Sequence, residues 1–141
     1  MKKVDSGIYR HFKGNFYFVM GSANDGAYPL DDDTSLVFYH PLYQVENIGW
    51  RYRSIKEFFE DVRVPGLNGT FNRFRKIIDW DLPNILPGTV FDNYPTNEKS
   101  ELHTIKRVVE INFEIFVEAE YVSTIRHFPI KVFSVLPQKL R

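Results

Sequence analysis

Nine side chains in the first 53 residues combine aromatic rings with guanidinium or imidazole groups: Tyr9, Arg10, His11, Tyr39, Tyr43, Trp50, Arg51, Tyr52 and Arg53. Rings of this kind stack on bases or pack on peptide side chains, and guanidinium groups hold phosphate or carboxylate. Tyr9, Arg10, His11, Tyr39, Trp50 and Arg53 are therefore the candidate ligand-binding set. Strand alternation puts Trp50 and Tyr52 on one face and Arg51 and Arg53 on the other. Trp50 is then either the plug of a core or the floor of a groove.

Other chemistry is sparse. The four histidines, His11, His40, His103 and His127, lack the short spacing of a metal motif, and hydrogen-bonded strand histidines are the plain reading. Asp31, Asp32 and Asp33 offer oxygen ligands to a hard cation. A calcium loop, however, alternates its acids and adds a later Glu, so the triplet reads as a solvated loop tip. No serine sits in a G-x-S-x-G elbow and no Gly-rich phosphate loop is present. No residue is assigned as catalytic, and no metal or cofactor is implied. The enzyme alternative rests on His11 as acid or base with a carboxylate such as Glu60.

At 141 residues with 16% aromatic content, the chain is one ordinary domain or two very small ones, rich in residues that favour pleated sheet. It contains no cysteine, which excludes disulfides and thiolate chemistry and fits a reducing cytoplasm. Residues 1–70 carry 8 basic and 9 acidic side chains, and residues 71–141 carry 10 and 9, so neither half has the basic excess usual in nucleic-acid binders. No apolar run is long enough to span a membrane, and the N-terminal residues lack a signal-peptide apolar segment.

Ile8 to Phe12 and Phe16 to Met20 flank Lys13-Gly14-Asn15, a hairpin pattern. Thr34 to Tyr39 and Ile48 to Arg53 read as two further strands. Ser54-Ile55-Lys56-Glu57 is a capping box, and Ile55, Phe58, Phe59 and Val62 continue it as the apolar stripe of a helix over 55–62. Phe71 to Ile78 is a strand carrying a second basic cluster, Arg73-Phe74-Arg75-Lys76. Asp79 to Ser100 is mostly loop, with a short strand at Thr89-Val90-Phe91. Ile105 to Val122 reads as a long strand. From Val109 to Tyr121 the odd positions are apolar and the even ones mostly Glu, giving a dry face and an acidic face. Its length leaves room for a bend or break. Thr124 to Leu136 is its partner, with Arg126 and Lys131 available to the acids.

The run Gly7-Ile8-Tyr9-Arg10-His11-Phe12-Lys13-Gly14-Asn15-Phe16-Tyr17 resembles the opening of the bacterial domain-of-unknown-function 1653 family, G-x-Y-x-H-F-K-G-x-x-Y. Leu36-Val37-Phe38-Tyr39-His40-Pro41-Leu42-Tyr43 is similar to its V-V-Y-x-x-L-Y segment. Trp50 and Arg53 resemble its W-V-R, Phe58, Glu60 and Val62 its M-F-x-E-x-V helix, and Arg73-Phe74 its closing R-F. The resemblance covers residues 6–77. The family's A-x-H-S-E-T loop is replaced here by residues 23–33, which lack its His and Glu.

Together these readings give a mainly β chain: an SH3-like small β-barrel with one short α-helix over residues 6–77, then a β-rich extension with a long hairpin over 78–141. The function expected is a non-catalytic binding or interaction module for peptide or nucleic acid, the second of these unsupported by net charge. A structural accessory subunit is a further alternative. The dry face of Val109 to Tyr121 suggests a homodimer through the 105–135 hairpin, with no membrane partner.

Overall fold

In the computed structural model the chain is described over residues 4–23, 35–93 and 100–134. The readings of the altered 23–33 loop and of Asp31, Asp32 and Asp33 as a solvated tip concern positions outside those residues, apart from the backbone of Ala23. The chain is mainly β, with one α-helix and three antiparallel sheets. It divides into two compact units, one of residues 1–41 and 47–81, the other of 42–46 and 82–141.

In the first unit, strands β1 (Gly7–His11), β2 (Phe16–Ala23), β3 (Leu36–Pro41), β4 (Arg51–Ser54) and β7 (Phe74–Asp79) make a five-stranded sheet ordered β4-β3-β2-β1-β7. The β1–β2 hairpin forms as its sequence predicts. His11 N–H donates to Asn15 O (2.9 Å) and Gly14 N–H to His11 O (2.8 Å), with Gly14 at φ 104°, a conformation glycine adopts without penalty. β1 and β7 lie so close at Gly7 that a Cβ there would meet Ile78 O at 2.6 Å. The sheet is open, with β4 and β7 at its edges, and no closed barrel forms among the described residues. The chain leaving β4 turns into the helix, and the short strands that follow, β5 (Asp61–Val62) and β6 (Phe71–Asn72), pair with each other.

The capping box is present: Glu57 N–H donates to Ser54 Oγ (3.1 Å), and Ser54 Oγ–H to Glu57 Oε1 (3.3 Å). The helix it starts, α1, runs only Ile55–Phe58 rather than to Val62. It ends because Asp61 and Val62 enter β5, and strand pairing outweighs the propensity of a stripe this short. Ile55 and Phe58 are fully buried. Phe58 stacks on Phe74 with centroids 4.5 Å apart and the rings 4° from parallel, and Tyr9 meets its edge at 5.3 Å.

The second unit holds β8 (Val90–Asp92), β9 (Leu102–Ile111), β10 (Glu114–Tyr121) and β11 (Thr124–Pro129) in the order β11-β10-β9-β8, followed by a 3₁₀ turn, Ile130–Ser134. The long strand expected over Ile105 to Val122 breaks at residues 112–113 into a hairpin. Asn112 (φ 51°) and Phe113 (φ 67°) form a two-residue turn, and a second joins β10 to β11 at Val122 (φ 47°) and Ser123 (φ 63°). Positive φ at both turn residues matches the twist of the flanking strands, so the chain reverses without the usual glycine. Val117 opposes Val108, and Ala119 opposes Ile105; all four are buried within this chain. Of the face that suggested a homodimer, Val117 and Ala119 are thus buried within this chain, while Ile111 and Phe113 are exposed. Of the strand's acids, Glu118 pairs with Arg107 (2.9 Å) and lies 3.2 Å from His127 Nε2, and Glu120 pairs with Lys106 (3.7 Å); Arg126 meets Glu101 instead (3.1 Å).

Candidate functional site

The β1–β2 turn, β6 and β7 converge on a cleft of about 480 Å³ lined by Arg10, His11, Phe12, Lys13 and Gly14 from the turn side and Thr70, Phe71, Asn72 and Arg75 from the other. Antiparallel pairing brings these distant segments together: Arg10 opposes Arg75, and His11 opposes Phe74. Backbone bonds lock the arrangement. Phe12 N–H donates to Arg73 O (3.0 Å), and Arg73 N–H to Glu60 O (3.2 Å).

Three cations, Arg10, Lys13 and Arg75, line this cleft, and among the described residues no carboxylate does. Arg75 and Lys13 are in no ion pair with any described residue. The Lys13 ammonium lies 5.8 Å above the Phe12 ring, and the Arg10 guanidinium 5.6 Å above Phe16. Nearby Arg73 is neutralised by Glu60 (3.0 Å), and Lys76 by Asp79 (2.6 Å). An adjoining cleft of about 530 Å³ shares Asn72 and Arg75 and is also lined by the carboxylates of Asp5 and Asp61. The first cleft is therefore the more cationic of the two, and Phe71, 39% exposed, gives it an apolar wall.

His11 is held neutral at physiological pH. Burial, then the charges of Arg73, Lys13 and Arg53, lower its pKa to about 4. Lys13 N–H donates to Nδ1 (3.2 Å), which leaves the proton of the neutral ring on Nε2. Its ring packs against Phe12 (4.4 Å) and edge-on to Phe74 (5.0 Å). No carboxylate bonds to it among the described residues, and Glu60 is engaged with Arg73. A group with this pKa and no orienting acid is a weak general base near neutrality.

The six residues singled out by composition do not form one surface. Tyr9, His11, Tyr39 and Arg53 share the sheet face that packs on Phe58 and Phe74, while Arg10 and Trp50 lie on the opposite face, with Phe16 and Phe18. Tyr9 is buried, its OH donating to Asp5 O (2.9 Å), and burial raises its pKa. Tyr39 is also buried and accepts from Arg53 Nε (3.0 Å), and Arg53 reaches Glu57 at 3.6 Å. Trp50 is no core plug: it is 45% exposed and rests on the edges of His40 (5.2 Å) and Phe18 (6.1 Å). Of the six, only Arg10 and His11 reach the cleft. The basic cluster at 73–76 was visible in the sequence, but its pairing beside the Lys13 turn was not.

Residues 7–76 match the model of a family described as a protein of unknown function, DUF1653. No curated protein and no solved structure matches the chain. Every residue lining the first cleft, from Arg10 to Arg75, falls inside the matched span. Over residues 7–76, then, this chain belongs to the DUF1653 family of unknown function.

Proposed function

We propose that the first unit is a non-catalytic binding module, SH3-like in seating a peptide beside an antiparallel sheet, and that its ligand is an acidic segment bearing an aromatic side chain. The carrying observation is the cleft itself: Lys13 and Arg75 beside Arg10, with no carboxylate among the described lining residues, against the rings of Phe12 and Phe71. Cations of this kind take carboxylates, and the rings take an aromatic anchor of the sort that dominates small interfaces. The zero net charge of the chain favours a peptide over a nucleic-acid strand, which usually needs a wider basic field. The absence of cysteine supports a reducing, cytoplasmic setting.

Fluorescence polarisation with labelled acidic peptides, with and without a central phenylalanine, tests the reading. Saturable binding that needs both the acids and the ring is expected. Joint Lys13→Glu and Arg75→Glu substitution should weaken it at least roughly tenfold, ~1.4 kcal/mol. Binding indifferent to these substitutions would sink the proposal, as would a preference for single-stranded oligonucleotides with a steep salt dependence.

A further inference from the structure

Phe113 sits at the tip of the β9–β10 hairpin, 95% exposed, in ring contact with no described residue. Its φ of 67° lies in the region glycine favours and bulky residues avoid. The fold therefore holds a large apolar side chain in a strained conformation without burying it. Beside it, Ile111 is 41% exposed, and Glu110 and Glu114 flank the turn as exposed acids.

This tip is itself an aromatic anchor between carboxylates. The cleft of the first unit presents the complementary set, with cations along its rim and more room than one benzyl side chain needs. Because Phe113 is almost fully exposed within the single chain, it does not occupy its own cleft. We propose that the Asn112-Phe113 tip of one copy docks in the Lys13–Arg75 cleft of a second copy, with Glu110 and Glu114 meeting the cleft cations. The inference rests on the peptide-binding reading above and names this chain as a partner. The contact joins two different surfaces, so a pair held by one contact keeps one free tip and one free cleft, and association continues into a ring or an open chain.

Sedimentation velocity of the full chain over a wide concentration range tests it, using the wild type, Phe113→Ser, and a Lys13→Glu, Arg75→Glu double variant. The wild type is expected to gain mass with concentration, and each variant alone to stay monomeric. A mixture of the two variants should stop at a heterodimer, because one supplies only the cleft and the other only the tip. A wild type that stays monomeric up to high concentration would overturn the inference, as would self-association unchanged by either variant. If a labelled acidic aromatic peptide still binds a monomeric wild type, the peptide-binding reading survives and only the self-docking falls. If the peptide also fails to bind, both fall.

Discussion

His11 shows how the fold sets the protonation of a side chain that its residue type alone leaves open. Its ring is wedged against Phe12 and Phe74 within the fields of Arg73, Lys13 and Arg53, which together hold its pKa at about 4. A histidine that titrates near 6.5 when unfolded and near 4 when folded binds its proton more readily in the unfolded chain. Stability is then complete above pH 6.5 and falls as the pH drops towards 4. Because the ring is only partly buried, the loss should be about 1–2 kcal/mol rather than the full linkage value. Denaturant titrations between pH 4 and 7 check this: His11→Gln should flatten that part of the profile, and an unchanged profile would mean another group carries the pH dependence. Tyr9 and Tyr39 teach a related lesson. Phe58 and Phe74 cover the face of the sheet on which the two tyrosines lie, so both tyrosines are buried, and their hydroxyls are satisfied by Asp5 O and Arg53 Nε.

Among the elements, the turns decide most. The β9–β10 turn places Phe113 at positive φ with nothing packed on it, so its conformation is a cost that the ring does not offset within one molecule. Phe113→Gly should stabilise the fold by roughly 0.5–1 kcal/mol, raising Tm, while removing the docking anchor. Thermal unfolding measures the first effect, and a lowered Tm would show that the turn is not strained. The capping box at Ser54 and the Lys13-Gly14-Asn15 hairpin were legible because each is a local pattern with a local cause. The break at Asn112-Phe113 was not, since period-two alternation runs straight through a two-residue turn and no glycine marks it. The length of α1 was hidden for a different reason: Asp61 and Val62 pair with Asn72 and Phe71, a choice made by residues outside the local window. Trp50 was undecided in the sequence because alternation gives a face but not what covers it.

Taken whole, the chain is two β units, each with its own buried apolar set and its own unused feature: a cationic cleft in one, an exposed aromatic tip in the other. Family membership covers the first unit's cleft and says nothing of the tip. The cleft was only half legible, since Arg10 and His11 were singled out while Lys13 and Arg75 entered through the pairing of β1 with β7. Its proposed role as a peptide seat can be read from backbone amide chemical shifts recorded during titration with an acidic phenylalanine-containing peptide. The account predicts saturable shifts confined to the β1–β2 turn, residues 11–14, and to residues 70–75. Shifts centred instead on Trp50 and the opposite sheet face, or none at saturating peptide, would contradict it.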